Sequence, residues 1–380
     1  MKLGVDDLAD LSAGAAFLAT GGGGDPHLTY LSACEGLRQY GPAELLAPDE
    51  IADDALVVAV GAVGAPTTSL ELLPSVDESI AVLDAYKRLT GRRVDAVVSF
   101  EIGGGNSLIP IVAAAANGIP VIDGDGMGRA LPEATMMTYA LAGIAPTPAV
   151  ALDYRGEAEL IEAETTEAYE PLIRAFALER GGMALSAEFQ MTGAEMKACI
   201  VPETVSLSIA LGKALRDGDG TAQERTERLA EVFAPSIYGA FRSLYSGIVS
   251  DVSTSVQGGY DVGRAVISPL SDDGSAPLVI DIRNEYLTAR QGEVVLASVP
   301  DLITILDFET AQPINAERLR YGQRVSVSAI GCPAHYRTEH ALKTVSPRAF
   351  GFDFDYVPLR QGSSQCSAQG SNRLKRGIRN

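Results

Sequence analysis

The chain has 380 residues, 46% of them hydrophobic, with 49 acidic side chains against 30 basic ones and a formal charge of −19. Its length exceeds the roughly 250–300 residues at which one hydrophobic core stops growing, so about two domains are expected. The apolar content excludes a disordered chain, and the negative charge repels nucleic-acid backbones and anionic membranes, so neither is expected as a partner.

The first residues, MKLGVDDLADLSAG, carry acids where a signal peptide has its basic region, and no apolar run approaches the ~20 residues of a membrane span. A cytoplasmic location is therefore expected. Cys34, Cys199, Cys332 and Cys366 lie far apart, which reads as reduced thiols and argues against a structural zinc site. Leu8, Leu11, Ala15 and Leu18 recur at helical spacing, and Thr20 to Asp25, with four consecutive glycines, ends that helix. Pro26 starts a second helix running through Leu37. Ala55 to Val60 predicts a buried strand, Ser75 to Leu89 a helix, and Val94 to Phe100 a second strand. Glu101 to Asn106 turns the chain into a helix over Ser107 to Ala116, Ile119 to Ile122 makes a third strand, and Asp123 to Gly126 leaves it. Apolar strands alternating with helices predict an α/β N-terminal domain with a parallel sheet and βαβ units, assigned to residues 1–165.

Beyond a charged stretch from Tyr154 to Arg180, Met183 to Met191 predicts a strand and Pro202 to Leu215 a helix. Short apolar segments follow at Leu278 to Ile282, Val294 to Ala297, Leu302 to Leu306 and Val325 to Ala329. They predict a β-rich C-terminal domain, assigned to 166–360, with 361–380 as a frayed polar tail.

An ordered set of motifs runs along the chain. It begins with Thr20-Gly-Gly-Gly-Gly-Asp25-Pro26 and Glu101-Ile-Gly-Gly near Asn106-Ser-Leu-Ile-Pro110. Asp123-Gly-Asp125-Gly-Met-Gly-Arg129-Ala, Met191-Thr-Gly193-Ala and Asn284-Glu285 follow. Val299-Pro-Asp301-Leu-Ile, Leu319-Arg-Tyr-Gly322 and Ser346-Pro-Arg348-Ala-Phe-Gly351-Phe-Asp353 complete it. In these the chain resembles the S-methyl-thiohydantoin desulfurase family, which is associated with hydantoin utilisation. The resemblance implies a two-domain hydrolytic enzyme acting on a thiohydantoin or hydantoin-like ring, with loss of a thiol. The alternatives are a hydrolase of sulfur-free cyclic amides and a noncatalytic subunit of a hydantoinase-like complex. A homo-oligomer or such a partner is open. The chain departs from the family pattern at His27 and at Ala334-His335-Tyr336-Arg337, where substrate preference is expected to differ.

The glycine turns carry the candidate chemistry. Backbone N–H groups of Gly22, Gly23 and Gly24 ahead of a helix can cradle a carbonyl or another anionic group, and the competing reading is tight packing. No strand leads into the run and no Gly-Lys-Ser/Thr follows, so no nucleotide cofactor is expected. Glu101 follows a buried strand directly, and ligands of open parallel sheets bind beyond such strand ends. Asn106 offers an amide there, and Asp123 and Asp125 are expected to join them in one crevice, with Arg129 or His27 as the cation that offsets their charge. In this reading Asp25 or Glu101 activates water and Asp125 protonates the leaving sulfur or ring nitrogen, with turn and cap chemistry as the plain alternative for the two aspartates. A divalent cation on Asp123, Asp125 and Glu101 is left open. Cys332 reads as a small buried hydrophobe rather than a nucleophile. The ligand is expected to touch both domains, under a surface supplied by Thr192, Asn284, Glu285 and Arg348. Arg348 is expected either to pair with Asp123, Asp125 or a substrate carboxylate, or to form an ordinary surface ion pair.

Overall fold

A computed structural model describes residues 1–24, 26–64, 72, 75–216, 221–258, 260–270 and 274–359. Asp25 and the 361–380 tail lie outside the described residues.

In the first half the elements run β1 (Lys2–Leu3), α1 (Val5–Leu18), α2 (Pro26–Tyr40), β2 (Ala43–Leu46), β3 (Leu56–Gly64), α3 (Val76–Thr90) and β4 (Ala96–Ser99). They continue with α4 (Ile109–Asn117), β5 (Val121–Asp125), α5 (Thr138–Leu141), β6 (Ala149–Leu152), β7 (Ala158–Ile161) and α6 (Thr166–Glu179). Next come β8 (Met183–Thr192), α7 (Gly193–Cys199), β9 (Val201–Pro202), α8 (Thr204–Arg216) and α9 (Ala222–Phe233). The remaining elements are β10 (Phe241–Gln257), β11 (Tyr260–Pro269), β12 (Leu278–Arg283), β13 (Glu285–Gln291), β14 (Val294–Ser298), β15 (Leu302–Asp307), β16 (Arg324–Ile330) and α10 (Glu339–Val345).

The protein is α/β. Its first sheet has nine strands in the order β1-β2-β5-β4-β3-β8-β6-β7, with β9 against β5. Strands β2, β5, β4 and β3 are parallel neighbours. β3 and β4 consist almost wholly of valine, alanine and glycine, which suits strands covered on both faces. α3 and α4 make the crossovers and stop where Gly91 and Gly118 take left-handed backbone, at φ 69° and 64°. The second sheet is antiparallel throughout, in the order β14-β13-β12-β11-β10-β16-β15. Its buried face alternates, as in Val325, Val327 and Ala329 of β16.

The strands of the second sheet begin at β10. β8 pairs with β3 along the latter's whole length, from Leu56 opposite Thr192 to Gly64 opposite Met183, and β6 pairs with the far side of β8. The stretch from 166 to 233 therefore pairs with and packs on the first sheet. A strand that supplies half of β3's ladder cannot belong elsewhere. α8 also returns to this unit, lying so close to α1 that a Cβ on Gly14 would sit 1.8 Å from Ser208 O and one on Gly212 1.9 Å from Asp10 O. Among the described residues no helix is long and apolar enough to cross a membrane.

Candidate functional site

The glycine run after α1 is where three parts of the chain meet. Thr20, Gly21, Gly23 and Gly24 all have positive φ, at 51°, 88°, 71° and 78°. This bends the backbone so that successive carbonyls point at different neighbours. Thr20 O accepts from Tyr286 N (2.7 Å), Gly21 O from Ala316 N (2.9 Å) and Gly23 O from Gly105 N (2.8 Å). Gly24 O accepts from Asn315 Nδ2 at 2.9 Å. The Gly22 N–H donates to Ala19 O at 2.9 Å, so that amide is spent on the turn itself and does not cradle a ligand. Gly22 is required for another reason: a Cβ there would lie 2.2 Å from Glu285 Oε1.

A cavity of ≈ 210 Å³ opens beside this junction, with Gly23, Gly24, Glu101, Asn106, Asn284 and Glu285 in its wall. It thus draws on both sheets. Ala62 N donates to Asn106 Oδ1 (2.7 Å), which fixes the amide so that Nδ2 donates to Glu101 Oε1 (2.8 Å). Leu131 N reaches Glu101 Oε2 at 3.2 Å. These donors favour the carboxylate, but burial outweighs them and Glu101 is pushed up to about 8. Glu285, at the start of β13, is raised well above the usual range, first by burial and then by the facing charge of Glu101, with Arg129 opposing. Its Oε2 has no hydrogen-bond partner among the described residues. Glu101, after a strand of the first sheet, and Glu285, from the second, thus line one cavity, and the charge of Glu101 is felt at Glu285.

Glu188 of β8 also lines the cavity. Its Oε2 accepts from Tyr169 OH and from Ser186 Oγ (2.9 Å), its Oε1 has no partner among the described residues, and burial raises it to about 7. Behind the wall residue Arg174, the guanidinium groups of Arg174 and Arg283 lie over the Tyr260 ring, 4.1 and 4.2 Å from its centroid. Glu133 Oε1 accepts from Arg283 (2.8 Å) and Tyr260 OH (3.2 Å), and Arg174 Nε donates to Glu170 (3.0 Å).

The expected crevice is only partly assembled. Glu101 and Asn106 share the cavity with Asn284 and Glu285, whereas the two aspartates turn elsewhere. β5 runs on to residue 125, so Asp123 and Asp125 are strand residues rather than a turn. Asp123 Oδ1 caps α8, accepting from Val205 N (3.1 Å) and Ser206 N (3.0 Å). Asp125 is fully buried and accepts at Oδ1 from Met127 N (2.6 Å) and Gly128 N, and burial raises it to about 7. It holds the turn that delivers Arg129 and is absent from the cavity wall. Arg129 is also fully buried, donating to Pro300 O (2.8 Å), Asp301 O (3.0 Å) and Thr20 Oγ1 (3.0 Å). It clamps the two units together and does not pair with the aspartates.

His27 is exposed on α2 beside Tyr30, in a separate surface depression that includes Ser12 and Asn315. Arg348 does not reach Asp123 or Asp125. It is an exposed residue paired with Asp355 and, at 3.5 Å, with Asp353, both on its own aromatic-rich segment. Thr192 caps α7 through Glu195 N at 3.2 Å.

Sequence reading missed Glu188 and the placing of Glu285 in the same cavity as Glu101. The available signal for Glu188 was an acid in the middle of a mostly apolar strand, two residues after Ser186. Burial pushes Cys332 up to about 11 and Cys199 to about 12, so both are thiols at neutral pH. Cys366 lies outside the described residues. Asp123, Asp125 and Glu101 face three different sets of donors, and among the described residues no three His, Cys, Asp or Glu side chains form a group that could hold a metal ion.

Two family models match the chain, one described as the S-Me-THD-like N-terminal domain over residues 6–163 and one as the S-Me-THD-like C-terminal domain over 164–359. A crystal structure described as a protein from Chromobacterium violaceum is similar in fold. Its TM-score is 0.79 at 24% identity, with 94% of this chain and 99% of that one covered. No curated protein matches the chain.

Proposed function

The chain belongs to the S-Me-THD-like family, and from that membership and its buried carboxyl pair we propose that it hydrolyses an S-methyl-thiohydantoin or closely related ring. The observation that carries the reading is the meeting of Glu101 and Glu285, from different sheets, in one cavity. Two like charges in such a place do not both ionise, so their tasks divide. Glu101 accepts from Asn106 and Leu131 and is the member suited to carry the negative charge. Glu285 is the member that keeps its proton.

Water gives a proton to Glu101 as its oxygen bonds to the sulfur-bearing ring carbon, while Glu285 protonates the ring nitrogen. The C–S bond of the tetrahedral adduct then breaks. The adduct hydroxyl returns a proton to Glu285, and Glu101 gives its proton to the departing thiolate. One water is consumed, one methanethiol leaves, and a hydantoin carbonyl remains.

The test is thiol release from S-methyl-thiohydantoin, with hydantoin formation followed by mass. Glu101→Gln is expected to lower turnover by about 100-fold or more, the scale of losing a general base. Unchanged turnover in that variant would remove Glu101 from the role. Ring opening of hydantoins without thiol release would move the substrate to sulfur-free cyclic amides.

A further inference from the structure

Glu188 has no part in the chemistry just described, yet it is 1% exposed and lines the same cavity. A buried carboxylate is costly unless its oxygens are engaged. Tyr169 and Ser186 both donate to Oε2, fixing the group from one side, while Oε1 has no partner among the described residues. The site is therefore half built, lacking a donor for one oxygen.

Its position says what would supply that donor. Glu188 stands opposite Ala59 of β3, whereas Asn106, which orients Glu101, is bonded to Ala62 of the same strand. The two stations are three residues apart along a strand, or about 10 Å. With the backbone stations so spaced, a substituent of a few atoms on a ring at Glu101 would extend along the cavity toward Glu188.

Resting on the proposed reaction, we infer that Glu188 is a substrate-selecting residue whose Oε1 accepts a hydrogen bond from an N–H or O–H at the tip of the ring's substituent. Substrates with a donor tip, neutral or cationic, are thereby favoured over apolar ones, because an apolar tip leaves the buried oxygen unpaired. Tyr169 and Ser186 are the residues that position Glu188, and they do not touch the ligand.

Two S-methyl-thiohydantoins with equally long substituents, one ending in a hydroxyl and one in a methyl group, test this on the wild-type chain by calorimetric Kd and by kcat/KM. At pH 8 or above, where Glu188 is ionised, the hydroxyl-tipped ring is expected to bind about 10- to 100-fold more tightly, the range for a hydrogen bond to a charged group. Equal binding would overturn the inference, and that comparison needs no variant to fold. Glu188→Gln keeps an acceptor toward Tyr169 and Ser186 but presents an N–H to the cavity. Its preference is expected to shift to a ketone-tipped ring, and a preference that stayed with the hydroxyl tip would also overturn the inference. Turnover of the unsubstituted ring reports on the reaction separately. Turnover with equal binding of both tips removes only the role of Glu188, whereas tighter binding of the hydroxyl tip without any turnover removes only the reaction.

Discussion

Burial holds protons on Glu101, Asp125 and Glu188 into the neutral range, at about 8, 7 and 7. In the unfolded chain such groups titrate near pH 4. Between about pH 4 and 8 the folded state therefore binds more protons than the unfolded one, so stability is greatest at the acid end and falls as pH rises through that window. The melting midpoint is expected to be at least about 3 °C lower at pH 9 than at pH 6, since 1 kcal/mol moves a domain of this size by about 2–4 °C. Calorimetry at both pH values checks this, and a midpoint that climbed with pH would contradict it. Glu101→Gln should narrow the difference. On the proposed reaction activity runs the opposite way, because Glu101 must be ionised to act as base, and kcat/KM is expected to increase up to about pH 8. Glu101 and Asn106 were legible in the sequence because they follow an apolar strand at once. Glu285 was legible as a polar interruption but not as the partner of Glu101, which lies far away along the chain. Asp123 and Asp125 misled because the spacing of two acids does not reveal which backbone amides they meet.

Elements were easier to read than their neighbours. β3, β4 and β8 announce themselves as apolar runs, but nothing in Met183 to Met191 says that it lies against β3, since strand pairing between distant segments leaves no local trace. The glycines of α1 and α8 likewise look like ordinary weak points in helices. Gly14→Ala would drive its Cβ into the Ser208 carbonyl, and the backbone contact leaves no flexible side chain to yield. A loss of roughly 1–3 kcal/mol is expected in urea unfolding, and an unchanged midpoint would mean that α1 and α8 are less closely packed. Gly22→Ala acts on the site instead, because its Cβ meets Glu285 Oε1 at 2.2 Å. Displacement of that carboxyl is expected to cost at least about 10-fold in thiol release, consistent with loss of a positioned acid. Full activity in a folded Gly22→Ala protein would remove Glu285 from the mechanism.

Across the whole molecule the two sheets are joined by Arg129 and by the carbonyls of Thr20, Gly21 and Gly24. Arg129→Met leaves the carbonyls of Pro300 and Asp301 and the Thr20 hydroxyl without their donor. A loss of at least about 2 kcal/mol is expected, since each orphaned buried group costs about 1–3 kcal/mol. Chemical denaturation followed by tyrosine fluorescence measures it, and a second transition would show the sheets parting before they melt. The two-domain reading from length and composition was sound, and β8, which follows the boundary between the family segments, crosses back to pair with β3. That crossing bears on how such proteins can be recombined. The two family segments adjoin at 163/164, inside the first sheet, so the first segment expressed alone would present β3 with one side unpaired, an open template for aggregation. Halves taken from two relatives and spliced there would have to match along the ladder from Leu56 to Gly64, which makes that joint a poor place for inheritance to exchange parts.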